Sequence, residues 1–149
     1  MTDNPMQIAL KVLLSIILCG LIGLERELRN KDAGLRTHIL VGVGSALLVL
    51  TSFFLFDIFK SVTIVDPTRI ISGIVTGIGF LCAGTIIRAG AHVSGLTTAA
   101  TLWIVSGIGM AVGAGFYSAA SIVTLFVIII LIIVRIVELK IGVHGKDKK

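Results

Sequence analysis

Charged side chains are scarce in this sequence. Acidic and basic residues make up 14% of its 149 residues, against about 25% in an ordinary soluble domain, while hydrophobic residues make up 56%. A soluble domain could not bury so much apolar surface, so the composition excludes that class and indicates a membrane protein. The length leaves room for one domain and no second soluble module.

Acidic side chains are absent from the interior of the long apolar runs. The eight acids lie outside those runs or at their edges: Asp3, Glu25, Glu27, Asp32, Asp57, Asp66, Glu138 and Asp147. A magnesium pathway usually needs one or two carboxylates, and ionisable residues within the membrane normally mark ion paths. The absence of such side chains from the apolar runs weighs against a dedicated magnesium carrier. Helices broken at glycine could still line an ion pathway with their exposed carbonyl groups.

The sequence contains two cysteines and no recognisable set of catalytic residues. Cys19 and Cys82 both lie in apolar runs, where two small buried residues explain them better than a disulfide or a metal pair. No nucleophile, base and orienting group occur together, so we expect no enzyme and no resident cofactor. The basic residues stand at the ends of apolar runs and form no stripe, so we expect no nucleic-acid partner.

Long uncharged runs are what the sequence has in abundance. Five runs are long enough to cross a hydrocarbon core of about 30 Å as helices, and we predict an all-α membrane bundle. The expected spans are residues 6–24, 36–57, 68–88, 96–113 and 117–138. They form one membrane domain, residues 1–141, followed by a basic cytoplasmic tail, residues 142–149. The fifth run is bulky and lacks glycine, so we expect it at the periphery.

Small residues crowd the third and fourth predicted spans. Glycines four residues apart let helix backbones approach closely in lipid, and we interpret these spans as the tightly packed centre of the bundle. The glycines assigned to helix packing are Gly73, Gly77, Gly84, Gly109 and Gly113. One chain can use only part of this surface, so we expect a homo-oligomer, with a dimer favoured.

Basic residues near the span ends set the expected orientation. With the N-terminus outside, ten of the thirteen lysines and arginines fall on the cytoplasmic side, and the outer side keeps Lys11, Lys60 and Arg69. We therefore predict an outer N-terminus and a cytoplasmic C-terminus.

This orientation places several candidate residues at one cytoplasmic level: Glu25, Arg26, Arg36, His38 and Arg88. They form either an interfacial anchor or a buried ion-pair cluster that marks a gate or a docking surface. Glu25 has Arg29 one helical turn away, a favourable spacing for an ion pair. His38 is better explained as a satisfied polar group than as a proton switch.

Two further groups have alternative readings. Asp66 precedes Pro67 and is the expected N-cap of the third span; it is also the candidate metal ligand of an outer cation site, or a partner for Arg69. A hydroxyl face on the fourth span bonds either to its own helix or to neighbouring helices. Its members are Thr97, Thr98 and Thr101.

A weak repeat relates the first two spans to the next two. At an offset of 61 residues, identical residues coincide: Gly23 with Gly84, Gly34 with Gly95, Leu35 with Leu96, Thr37 with Thr98 and Ser45 with Ser106. A parallel repeat of two helices explains this pattern. A shared preference for Gly-Leu-x-Thr at a helix start explains it as well.

Four runs in this chain resemble the successive signatures of the MgtC/SapB family of bacterial inner-membrane proteins. They are GLIGLERELRNKDAGLRTHILVGVGSAL (residues 20–47), DPTRI (66–70), GIGFLCAGTIIR (77–88) and GLTTAATLW (95–103). The resemblance implies a role in magnesium limitation, in membrane potential and, in pathogens, in virulence. It implies either a regulator that acts on partners such as the ATP synthase or a transporter or channel for Mg²⁺. It also implies a short form, without the cytoplasmic regulatory domain that many relatives append.

Overall fold

The computed structural model of the chain describes residues 3–64, 66 and 68–141. Within those residues it contains five α-helices and one β-hairpin. Their bounds are α1 Pro5–Leu28, α2 Leu35–Phe59, α3 Thr68–Ala83, β1 Ile87–Ala89, β2 His92–Ser94, α4 Leu96–Gly113 and α5 Tyr117–Ile141. The predicted five-helix bundle is therefore confirmed. The tail predicted over residues 142–149 lies outside the described residues.

Four of these helices, α1, α2, α4 and α5, are long and apolar enough to cross a membrane. The helix α3 has 16 residues, or about 24 Å at 1.5 Å per residue, which is less than a hydrocarbon core of about 30 Å. The prediction that the third span runs to residue 88 is wrong, because α3 ends at Ala83.

A β-hairpin takes the place of the predicted end of that span. The N–H groups of Thr85 and Ile86 bond to carbonyl groups three residues back, which tightens the chain out of the α-helix. In the antiparallel hairpin, Arg88 lies opposite Val93. Gly90 makes the turn with φ of +62°, a conformation that glycine adopts without steric cost. The apolar pattern alone does not reveal this change of structure.

The helices α2 and α4 lie at the centre of the bundle. The helix α1 packs against both, α3 packs mainly on α4, and α5 lies across α1 and α4. A core between α1, α4 and α5 contains Ile22, Val105 and Val112, all fully buried. Of the 25 residues of α5, the buried ones are Ala120, Thr124 and Val127. The fifth helix is therefore peripheral, as predicted.

Candidate functional site

The helices α2 and α4 touch through their backbones. A Cβ atom placed on Gly109 would overlap the carbonyl oxygen of Gly42, and one placed on Gly113 would lie 2.7 Å from the carbonyl oxygen of Ala46. Real side chains do not approach backbone atoms so closely in a packed interior, so glycine is required at both positions. Gly109 and Gly113 therefore hold the centre of a single chain together.

The glycines of α3 are placed differently. No atom lies within 4 Å of a Cβ placed on Gly73 or Gly77, and one on Gly84 meets only carbonyl groups of its own preceding turn. Gly73 and Gly77 line an apolar groove of about 590 Å³ between α2 and α3, with Gly44 on the opposite wall. Within one chain, the predicted packing role holds for Gly109 but not for these α3 glycines.

Small polar groups fill the middle of the bundle. The hydroxyl oxygens of Ser45 and Ser106 lie 2.8 Å apart across the α2–α4 contact, and these two residues are related by the 61-residue offset. Toward α1, the Cys19 thiol lies 3.9 Å from the Ser15 hydroxyl and donates to the carbonyl oxygen of Val105 at 3.7 Å. These side chains are buried, and they offer hydroxyl, thiol and carbonyl groups that already have partners.

A buried ion-pair cluster lies near the end of α1. Arg26 donates from Nε to Oε2 of Glu25 at 2.6 Å, and Arg29 donates to Oε1 at 3.2 Å. Glu25 and Arg26 are both at least nine-tenths buried. Both carboxylate oxygens therefore have a cationic partner, and the predicted spacing of Glu25 with Arg29 is confirmed. We call Glu25, Arg26 and Arg29 the charged cluster.

The predicted membership of this cluster needs correction. Arg36 lies exposed in the first turn of α2. Arg88 lies exposed in β1, and its Nε donates to the carbonyl oxygen of Gly90 at 3.2 Å. Neither arginine pairs with Glu25 in the described structure. For Arg88 the cause is the hairpin, which takes this residue out of α3 and into β1.

His38 connects α2 to α4 beside the charged cluster. It is fully buried, its Nδ1 donates to the Gly34 carbonyl oxygen at 2.8 Å, and its Nε2 lies 3.1 Å from the hydroxyl of Thr101. The Thr101 hydroxyl also lies 2.9 Å from the carbonyl oxygen of Thr98, and it can donate its one proton either there or to Nε2 of His38. Both imidazole nitrogens thus have partners, as the satisfied polar group favoured from the sequence requires. Thr98 is buried with Thr101, whereas Thr97 is exposed, so the predicted hydroxyl face is divided.

A second buried charge ties the opposite end of the bundle together. The ammonium group of Lys11 donates to Asp3 at 2.5 Å and to the carbonyl oxygen of Gly113 at 3.1 Å. This contact joins the start of α1 to the end of α4. Sequence reasoning did not assign Lys11 a site, although a lone lysine inside an apolar run signals that a partner is needed.

Asp66 acts as a cap. Its carboxylate accepts hydrogen bonds from the N–H of Thr68 at 2.9 Å and from the Thr68 hydroxyl at 2.6 Å, and these bonds hold the pKa of Asp66 below its usual range. The backbone N–H of Arg69 donates to the Asp66 carbonyl oxygen. Pro67 lies outside the described residues. Among the residues that are described, no group of three or more His, Cys, Asp or Glu side chains is placed to hold a metal ion.

The model of the MgtC family matches residues 12–140 of this chain. The chain belongs to the MgtC family. It is 44% identical over 124 residues to the putative magnesium transporter YhiD of Escherichia coli K12, covering 80% of this chain and 58% of that protein. It is 45% identical over 123 residues to the protein MgtC of Brucella abortus, covering 81% of this chain and 48% of that protein. It is 40% identical over 146 residues to the protein SapB of Bacillus subtilis, covering 95% of this chain and 62% of that protein. The chain thus spans about half to three fifths of these relatives. No solved structure matches it.

This MgtC-family chain is a multi-pass membrane protein with its charges at the two ends of the bundle. The described interior contains bonded hydroxyl and thiol groups and backbone contacts in which a single methyl group does not fit. Such an interior provides rigidity, and in the described residues the carboxylates that Mg²⁺ prefers lie toward the ends of the bundle, as at Asp3 and Glu25. The charged cluster is the site at which the geometry concentrates buried charge.

Proposed function

We propose that this MgtC-family protein is a regulator in the bacterial cytoplasmic membrane that adapts the cell to low magnesium. It acts through contacts with other membrane proteins, such as the ATP synthase, or through membrane energetics. The magnesium link is supported by the family and by the relative named a putative magnesium transporter. The regulatory mode rests on one observation, a buried and paired charged cluster at the end of a closed helix bundle.

The charged cluster suits a docking surface because its charges are fixed in place. Burying an ion pair costs desolvation energy that the pair does not fully recover, so such a cluster is a poor device for stability alone. Arg29 is the exposed edge of the cluster, with its side chain 32% accessible. Under the proposed orientation, with the N-terminus outside, this edge faces the cytoplasm.

The variant Glu25→Gln tests the cluster. We expect it to lower the free energy of unfolding by about 3 kcal/mol, because it leaves Arg26 buried without its anionic partner, and to abolish growth support in low magnesium. Arg36→Gln is the control, since Arg36 is a nearby arginine outside the cluster. Growth and melting in detergent are measured for both variants. A Glu25→Gln protein with full growth support and unaltered melting would show that the function lies elsewhere, with Asp66 the next residue to test.

Transport of Mg²⁺ is the second candidate function, favoured by the name of the Escherichia coli relative. Purified protein in sealed vesicles distinguishes the two proposals. The regulator predicts no magnesium flux above that of empty vesicles, with the protein folded by circular dichroism. A flux that saturates with magnesium and disappears on heat denaturation would replace the regulator by a transporter.

Self-association is part of the proposal, with a second copy of the chain in the groove between α2 and α3. The groove is apolar, and glycines on both walls leave space for a close helix. Small residues of this kind favour helix contacts in lipid. The proposed contact uses Gly73 and Gly77, not Gly109, which is already packed inside the chain.

A further inference from the structure

Among the described residues, no side chain caps the N-terminus of α4. The residue before the helix is Gly95, with φ of +83°, and no side chain bonds to the first turn. Ala99 is the first residue whose N–H has a backbone partner, the carbonyl oxygen of Gly95 at 2.8 Å. Among the described residues, the N–H groups of Leu96, Thr97 and Thr98 have no acceptor. A helix start left in this way can find its acceptors in water or in a bound anion.

These N–H groups belong to the wall of a cavity of about 360 Å³. The other walls are the α1–α2 loop and the end of the hairpin, which contribute Asn30, Lys31, Asp32, Val93 and Ser94. Thr98 also lines the cavity. It is 3% exposed, and its hydroxyl has no hydrogen-bond partner in the described part of the chain. Its oxygen is not among the fully buried atoms without a partner in the described residues, so the hydroxyl is open to the cavity, where it is available to bond to a ligand.

On the repeat interpretation of the 61-residue offset, the start of α2 is the counterpart of the start of α4, although Gly34 is extended where Gly95 is left-handed. At the 61-residue offset, Leu35 at the start of α2 corresponds to Leu96 at the start of α4. The N–H of Leu35 donates to the carboxylate of Glu27 at 2.9 Å, so an anion from the protein itself fills the N-terminus of α2. The residue that corresponds to Glu27 in the second repeat is Arg88. On that interpretation, the cavity at α4 corresponds to a position that a carboxylate fills at α2.

We propose that this cavity binds a phosphate group. The donors are the N–H groups of the first turn of α4, the hydroxyl of Thr98 and the ammonium group of Lys31. N–H groups and the helix dipole both favour an anion at this end of a helix, and a phosphate has enough acceptor oxygens to serve all three kinds of donor. Asp32 faces the same cavity and opposes the anion, which keeps the affinity moderate. The phosphate belongs either to a lipid headgroup or to a free phosphate compound.

Purified, delipidated protein in a nonionic detergent provides the test, with inorganic phosphate as the probe at constant ionic strength. Binding is measured from the ³¹P line width. We expect Thr98→Val to weaken binding about tenfold by removing a hydrogen bond to a charged group, and Lys31→Gln to weaken it about threefold. Asp32→Asn should tighten binding about threefold, a gain that misfolding cannot produce.

Two matched controls should bind as the parent does. Thr37→Val removes a threonine at the equivalent position of α2, where Glu27 already fills the helix start. Lys140→Gln removes a lysine in the last turn of α5, away from the cavity. Melting without phosphate is compared for every variant, so that a loss of fold is not taken for a loss of binding.

The same variants distinguish the two sources of phosphate. If inorganic phosphate binds and the two donor variants weaken it, the ligand is a free phosphate compound. If inorganic phosphate does not bind but phosphatidylglycerol stays on the parent through delipidation, by native mass spectrometry, and is lost from both donor variants, the ligand is a lipid headgroup. If neither probe distinguishes the Thr98 and Lys31 variants from the two controls, the proposal is overturned.

Discussion

Gly109 lies where α4 crosses α2, and one added methyl group there perturbs the centre of the bundle. A Cβ atom at this position would lie 2.8 Å from the carbonyl carbon of Gly42 and 3.0 Å from its Cα, besides overlapping the carbonyl oxygen. These are backbone atoms, which cannot rotate away, so the two helices must move apart. Gly107 on the same helix has no atom within 4 Å of its Cβ position and provides a matched control.

We expect Gly109→Ala to lower the free energy of unfolding by about 2 kcal/mol. Over-packing against a rigid neighbour costs up to about 3 kcal/mol, and the higher helix propensity of alanine returns up to about 1 kcal/mol. Gly107→Ala avoids the first effect and should be at least as stable as the parent. Both are measured by reversible denaturant titration in one mild detergent. Equal unfolding midpoints for the two variants would refute the close backbone contact between α2 and α4.

Three further predictions follow from contacts elsewhere in the bundle. A double-mutant cycle with alanine at Ser45 and Ser106 should give a coupling energy of about 0.6 kcal/mol, typical of hydrogen bonds between membrane helices; strictly additive effects would contradict the bond. Gly77→Leu should reduce cross-linking between copies without changing the melting temperature, whereas Gly79→Leu, which lies outside the groove, should leave cross-linking unchanged. Equal cross-linking in the two variants would rule out the groove as the contact between copies. Because hydrogen bonds lower the pKa of Asp66, its contribution to stability is present above the ordinary aspartate pKa and is lost as the pH falls through the lowered value. Asp66→Asn should therefore melt with less pH dependence than the parent as the pH falls from about 5 through the lowered pKa of Asp66, and an unchanged dependence would contradict the capping role.

The positions of the helices were predictable because charge marks their limits. Each predicted span overlaps a helix, but α1 continues to Leu28, past the predicted end at residue 24. Glu25 and Arg26 are good helix formers, and their pairing lets the helix extend with its charges buried. The end of α3 was not predictable from hydropathy, because the chain stays apolar beyond Ala83 while its backbone turns into a hairpin.

The sequence predicts the depth of the candidate site residues in the membrane better than it predicts which residues they contact. Gly73 and Gly109 each stand four residues from another glycine, yet only Gly109 meets a glycine of another helix, Gly42. The spacing of glycines in the sequence defines the surface of one helix, whereas packing also depends on the surface of the helix that it meets. Likewise, the sequence places Arg88 near the level of Glu25, but the hairpin decides where its guanidinium group lies.

The bond between Ser45 and Ser106 has a consequence for the origin of the fold. Two residues that are equivalent in a repeat, and that touch, lie close to an approximate two-fold axis, which for parallel repeats runs along the membrane normal. The repeat interpretation of the 61-residue offset therefore predicts a four-helix core arranged as a dimer joined into one polypeptide, as duplication and fusion of a shorter gene would leave it. On that interpretation the two copies have diverged, with Glu27 bonded at the start of α2 and Arg88 at the corresponding position before α4.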